Sequence, residues 1–344
     1  MPPSTVAAER IASINPATGE TVAWVDATPP DQVASVVARA RAAQKNWSQR
    51  AIADRCRLVN ILREKMFTSR NELSDAVVHE SGKPRAEALF SDIFVSLDTA
   101  AYLAANAQKM LATERIPHHN IAAKAKSGEL RYEPLGVIGI ISSWNYPLAI
   151  PLGQILPAVV AGNAVVCKTS DFTPQCGALI DKLFVDAGFP KDLVTVIQGG
   201  GEVGRALIDA ASDKICFTGS VETGRRVAEA CAARLIPTVL ELGGKDAMIV
   251  LADANLEIAA SGAVWGSFTN CGQVCLSVER IFVEQSVAEK FAALCVEKTK
   301  KLRLGNGADP ATDVGPLIRP QHVQRMTALI QDAIGHGAKI LCGG

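Results

Sequence analysis

Residues 268–277 read F-T-N-C-G-Q-V-C-L-S, an apolar run that breaks at a glycine and delivers a cysteine, Cys275. A thiol forms thioesters readily and needs only a lowered pKa to attack at neutral pH. Gly272 permits a sharp bend, and Asn270 and Gln273 suit a turn. An intracellular cysteine is also commonly a small buried apolar residue. The reading of Cys275 as a nucleophile therefore rests on companions elsewhere. Cys271 lies four residues before it, but no histidine or second cysteine pair stands near, and no metal site is expected.

Several other residues could complete a reaction centre. Glu241 ends an apolar stretch in L-E-L-G-G-K, where a carboxylate before Gly243 and Gly244 can act as a general base. In S-W-N-Y-P, Asn145 can offer an amide donor to a developing oxyanion, and Trp144 can flank a cofactor. Lys168 and Asp171 follow another apolar run, where both can hydrogen-bond ribose hydroxyls. Two glycine turns open helical patterns: G-x-G-x-x-G at Gly199, Gly201 and Gly204, and F-T-G-S-V-E-T-G at 217–224. Exposed amides at a helix N-terminus attract phosphate, so a nucleotide cofactor is expected. The acidic residue that should follow the first fingerprint is not evident, because the next strand ends in Thr218, Gly219 and Ser220.

These residues need rigid elements behind them. Short apolar runs at 137–141, 165–167, 194–197, 215–217 and 238–242 alternate with helical patterns, the spacing of a doubly wound parallel α/β sheet. In one of those helices Thr173 is expected to cap and Pro174 to open. Ahead of the sheet, residues 1–10 read as a disordered or weakly docked lead, and N-P-A-T-G at 15–19 as a turn between extended stretches 12–14 and 21–25. Thr28 caps and Pro29 opens a first helix, and further helices are expected at 51–69, 71–81 and 86–111. The polar stretch 121–134 suits an exposed hairpin, a candidate for subunit contact. A second α/β block begins at Gly243, with strands at 248–251 and 280–283, helices at 256–269, 286–302 and 320–334, and a last strand at 339–342.

Bulk composition narrows the class. With 344 residues, the chain is long enough for two domains with real cores. Lys plus Arg equals Asp plus Glu at 35 each and no basic block occurs, so the footprint of a nucleic-acid binder is missing. No apolar run reads as long enough to span a bilayer and no secretory leader is evident, so a cytoplasmic location without membrane attachment is expected. Nine cysteines without repeated spacing do not form a disulfide framework.

Taken together and in this order, S-W-N-Y-P-L, V-C-K-T-S-D-F-T-P, F-T-G-S-V-E-T-G, L-E-L-G-G-K and N-C-G-Q-V-C resemble the NAD(P)-dependent aldehyde dehydrogenase superfamily, over residues from about 14 to the end. The resemblance implies a division into a cofactor domain (1–120 and 135–242), an oligomerisation hairpin (121–134) and a partial catalytic domain (243–344). It implies Cys275 as the catalytic thiol, Glu241 as the base and Asn145 as the oxyanion donor. It gives Lys168, Asp171, Ser142, Trp144, Gly219, Ser220, Thr223, Gly224 and Leu242 to the cofactor, and only the adenine region to the turn at 199–204. A carboxylate at Asp171 would repel a 2′-phosphate, so NAD is expected, with NADP as the alternative. The substrate implied is a small-molecule aldehyde, a semialdehyde or an aliphatic or aromatic one, and the assembly a homo-oligomer. Members that hand the acyl group to coenzyme A generally lack the glutamate, so Glu241 implies hydrolysis. The family also continues past residue 344, through an E-I-F-G-P segment whose glutamate holds the nicotinamide ribose and a terminal strand that completes a neighbour's sheet. On that ground these 344 residues are expected to be catalytically weak or inactive by themselves, and the competing reading is a truncated, non-catalytic nucleotide-binding fragment or scaffold.

Overall fold

In the computed structural model, residues 9–343 are described. Strands β1 (Arg10–Ile14) and β2 (Thr21–Asp26) pair antiparallel about the N-P-A-T-G turn, so the expected disordered lead ends before Arg10; residues 1–8 lie outside the described part. Thr28 does not cap the first helix. Its hydroxyl accepts from the Gln198 N–H (3.0 Å) and its N–H donates to the Gln198 carbonyl (2.8 Å), which ties this segment to the central sheet. A short 3-10 turn at Pro30–Gln32 leads instead into α1 (Val33–Ser48).

Helices α2 (Ile52–Thr68) and α3 (Arg70–Ser81) follow as expected. The next helix is interrupted: α4 (Arg85–Glu87) passes through a π-helical segment, Ala88–Phe94, into α5 (Val95–Met110). Contrary to the expectation that no segment could cross a bilayer, Arg85–Met110 is long and apolar enough by length and composition. One face of it packs in the core, with Ile93, Ala100, Leu103 and Ala107 in the main hydrophobic cluster and Asp92 ion-paired inside the protein, while Phe90, Phe94 and Tyr102 are exposed. The hairpin starts earlier than 121. Its strands are β3 (Glu114–Ile116) and β4 (Gly128–Leu130), antiparallel, with the intervening residues as the loop.

Five strands form the central sheet: β5 (Val137–Ile141), β6 (Ala164–Lys168), β7 (Val194–Ile197), β8 (Lys214–Thr218) and β9 (Thr238–Glu241). They are all parallel in the order β7-β6-β5-β8-β9. The chain runs outward from β5 to β7, then returns to β8 on the other side of β5. The strand direction of travel therefore reverses between β5 and β8, and the crevice at their carboxyl ends is where doubly wound sheets bind ligands. Helices α6 (Ala149–Val160), α7 (Pro174–Asp186), α8 (Gly201–Asp209) and α9 (Val221–Ala232) make the crossovers. Pro174 opens α7 as expected, but Thr173 makes no side-chain cap. The buried Glu80 carboxylate of α3 takes that place, accepting from the Gln175 and Cys176 N–H groups, each at 2.8 Å.

The second block has its own small core. Parallel strands β10 (Asp246–Val250) and β11 (Val278–Val283) pack with α10 (Leu256–Phe268) and α11 (Ala288–Thr299) around Val250, Ala260, Ala263 and Phe291. Helix α12 (Pro320–Gly335) follows. Residues 339–342 form no strand, because no neighbour pairs with them among the described residues.

Candidate active site

Helix α10 ends at Phe268, and the chain then turns through three consecutive left-handed residues, Asn270 (φ 51°), Cys271 (φ 57°) and Gly272 (φ 73°). Two of the three carry a Cβ, which costs about 1–2 kcal/mol each in this conformation. The turn persists because its neighbours over-determine it. The Asn270 N–H donates to the Glu87 carboxylate (2.8 Å), and its Nδ2 donates to the carbonyls of Asn145 (3.1 Å) and Gln273 (3.2 Å). Gln273 donates through Nε2 to the Asn270 carbonyl and accepts through Oε1 from the Ile318 N–H, both at 3.0 Å. Burial pushes the Glu87 carboxyl up, against the Asn270 N–H and Lys83, which pull it down. Cys275 comes two residues after Gln273, and of the nine cysteines it alone is exposed. Cys271, in the same turn, is half-buried, and burial raises its thiol.

Asn145 follows the end of β5. Its Nδ2 donates to the Gln273 carbonyl (3.0 Å), its Oδ1 accepts from the Ser143 hydroxyl (2.9 Å), and its own carbonyl accepts from Lys83 Nζ (2.7 Å). Lys83 is paired with Asp92 at 2.8 Å, and both side chains are wholly buried. Glu241 ends the edge strand β9 opposite Thr218, where its carbonyl accepts from the Gly219 N–H (3.0 Å). The turn that follows returns against the cysteine loop. A Cβ on Gly244 would lie 3.0 Å from the Cys275 carbonyl oxygen, so only glycine allows that approach without displacement. The loops bearing Asn145 and Cys275 are thus hydrogen-bonded together, and the Glu241 turn touches the second of them.

A cleft of about 690 Å³ opens beside these loops at the carboxyl ends of β5, β6 and β8. That is within the usual range of about 300–1,000 Å³ for ligand sites. Ser142, Trp144, Lys168, Asp171, Gly219, Ser220 and Thr223 all line it. Gly224 and Leu242 do not; they pack on each other, Leu242 filling the space a Cβ at 224 would need. Gly200, Gly201 and Gly204 form another wall. Burial lowers the Lys168 ammonium, while Asp171 and then Glu202 raise it. Ser220 caps α9 by accepting from the Thr223 N–H (3.2 Å), and the two residues put the N-terminus of that helix, with its unpaired first-turn amides, at the cleft wall. The Ser142 hydroxyl is buried with no partner. An orphaned hydroxyl, a lysine, and a helix N-terminus around one crevice fit a phosphorylated, hydroxyl-bearing ligand such as a dinucleotide.

The aldehyde dehydrogenase family profile matches residues 4–344. The chain belongs to this family. A provisionally named succinate-semialdehyde dehydrogenase of Mycolicibacterium smegmatis, NADP(+)-dependent by its name, is 37% identical over 327 residues, covering 95% of this chain and 63% of that protein. The 4,4'-diapolycopene aldehyde oxidase of a Methylomonas species is 36% identical over 329 residues, covering 96% and 62%. Among solved structures, the NAD+ complex of an aldehyde dehydrogenase from Bacillus cereus aligns with a TM-score of 0.93 at 31% identity, covering 97% of this chain and 68% of that one. The chain therefore spans a little under two thirds of the length of these curated relatives. Within this chain, sequence reasoning missed Lys83, in the turn after α3, and Glu87 and Asp92, on the helical segment that follows it, which brace the two loops from well upstream. It also missed His322, whose ring stacks on Trp144 (5.2 Å) at the cleft wall. Only the G-K-P turn at 82–84, a helix stop followed by a lysine, offered a signal for the first of these.

Proposed function

We propose that the chain carries the reacting groups of an NAD(P)-dependent aldehyde dehydrogenase that releases a carboxylic acid. The observation that carries this reading is the joining of the Asn145 amide to the Cys275 loop through the Gln273 carbonyl, beside a cleft suited to a dinucleotide. In this mechanism Cys275 adds through Sγ to the aldehyde carbon, its proton passing to Glu241. The resulting oxyanion accepts from the second N–H of Asn145, the first being held by Gln273, and from the Cys275 backbone N–H. When bound, the nicotinamide dinucleotide supplies the acceptor for the hydride that leaves the former aldehyde carbon. Glu241 first gives the thiol's proton up to solvent, then takes one from water as the water oxygen attacks the thioester; the thiolate departs, recovers a proton from Glu241, and the carboxylic acid is released.

Lys168 and Asp171 hold ribose hydroxyls, and Gly219, Ser220 and Thr223 face phosphate. Asp171 favours NAD, since its charge opposes a 2′-phosphate. We assign the cofactor cleft to one domain (1–113 and 135–242), the cysteine to another (243–344), and the exposed ribbon 114–134 that carries β3 and β4 to contact within a homo-oligomer. The test is reduced-cofactor absorbance with a panel of semialdehydes, aliphatic and aromatic aldehydes. Formation that Cys275→Ala abolishes supports the reading. A reaction that survives that substitution refutes it.

A further inference from the structure

An asparagine amide serves an oxyanion only in one orientation, because the nitrogen donates and the oxygen does not. At Asn145 that orientation is fixed at both ends. Ser143 Oγ donates to Oδ1 (2.9 Å), and Nδ2 donates to the Gln273 carbonyl (3.0 Å), leaving its second N–H free. Turning the amide over would set Oδ1 against the Gln273 carbonyl, acceptor against acceptor.

The main chain is held as firmly. The Asn145 carbonyl accepts from Lys83 Nζ (2.7 Å) and from Asn270 Nδ2 (3.1 Å). The Lys83 ammonium lies 4.0 Å from the Tyr146 ring centroid, and its partner Asp92 accepts through Oδ1 from the N–H groups of Leu148 and Ala149, each at 3.1 Å. One buried ion pair thus grips residues 145–149 from both sides. An apolar pair could fill the same space at lower desolvation cost. What the ammonium adds is a donor aimed at one carbonyl.

We propose that Lys83 and Ser143 are positioning residues for Asn145: Lys83 fixes its backbone, and Ser143 orients its amide so that the free N–H faces the oxygen of a substrate attached to Cys275. This rests on the reading of Cys275 and Asn145 given above. It separates two reactions of one thiol, neither needing a cofactor. With p-nitrophenyl acetate, Cys275 gives its thiol proton up to solvent and its S–C bond forms as the carbonyl electrons move to oxygen; the oxyanion then collapses and expels p-nitrophenolate. With iodoacetamide, the S–C bond forms as iodide leaves, and no oxyanion arises.

The experiment measures both rates on the full chain, by nitrophenolate absorbance and by mass spectrometry of the Cys275 peptide. Ser143→Ala and Lys83→Met should slow acylation by about 10–100-fold, the scale of a misplaced oxyanion donor. Alkylation of Cys275 should be unchanged, and Ser143→Thr, which keeps the hydroxyl, should retain acylation. Acylation and alkylation falling together, or acylation unaffected in Ser143→Ala, would overturn the proposal. Ser143→Ala decides the matter if Lys83→Met fails to fold. Loss of the nitrophenolate burst in Cys275→Ala is the control, and a burst that survives it defeats the reading of Cys275 itself.

Discussion

Replacing Asp92 by Asn keeps the side-chain shape and an acceptor for the Leu148 and Ala149 N–H groups, but removes the charge opposite Lys83. Both side chains are wholly buried and the pair is 2.8 Å apart, so water cannot take over the lost interaction. Breaking a buried pair from one side costs about 3–5 kcal/mol. At about 2.1 cal/mol/K of unfolding entropy per residue, the 344 residues give ~0.7 kcal/mol/K, hence a fall in Tm of ~4–7 °C. Thermal unfolding followed by circular dichroism measures this directly. The double variant Lys83→Met with Asp92→Asn removes both charges. It should lose less than the two single variants added together, by about 0.5–3 kcal/mol of coupling. A Tm unmoved by Asp92→Asn, or a double variant that is simply additive, would refute the view that this pair is a tight buried unit.

Gly244→Ala brings a Cβ to 3.0 Å from the Cys275 carbonyl and 2.7 Å from Asp246 Oδ2; the carboxylate can swing away, but the backbone must retreat. A shift of a few tenths of an ångström should slow ester acylation of Cys275 by roughly 10-fold, given that 1 Å can cost about 100-fold. An unchanged burst rate would contradict this. Burial lowers the Lys168 ammonium, so the charge it offers to cofactor hydroxyls is present at low pH and lost on raising the pH through a value below the ordinary 10.5. Cofactor affinity by fluorescence titration should therefore weaken as the pH is raised, the fall beginning below 10.5, and Lys168→Met should abolish that limb. Asp171→Asn removes the charge opposing a 2′-phosphate and should narrow the preference for NAD over NADP by about 10-fold, or ~1.4 kcal/mol; equal ratios in the two proteins would count against Asp171 as the selector.

The part of the fold most legible in the sequence was the central strand of the sheet. Val137–Ile141 is a short continuous apolar run between turns and stands at the bounds expected for it, as does the edge strand Val194–Ile197, whose run is interrupted by the half-buried Thr195. The end of α10 and the glycine turn before Cys275 were legible for a related reason, since a chain direction change needs Gly272 or its equivalent. Caps were misread at Thr28 and Thr173 because a hydroxyl before a helix says only that it can accept. Whether it caps depends on competitors from other elements, here Gln198 and Glu80. Lys83, Glu87 and Asp92 were invisible for the same physical reason. Their partners in the site loops lie 56–183 residues away in the chain, and no local spacing encodes such contacts. Asn145, Glu241 and Cys275 were singled out as candidates by their chemistry, and given roles through family resemblance and motif order. Periodicity alone would have left each as a turn residue.

The most direct test of the account is to stop the reaction at Cys275. Glu241→Gln removes the carboxylate proposed as the base that releases the acyl group, while leaving the thiol and Asn145 in place. Incubated with an aldehyde and NAD, this variant should accumulate one acyl group, found by peptide mass spectrometry on Cys275 and removed by hydroxylamine. No acyl group on Cys275, or one carried by Cys271 instead, would contradict the account.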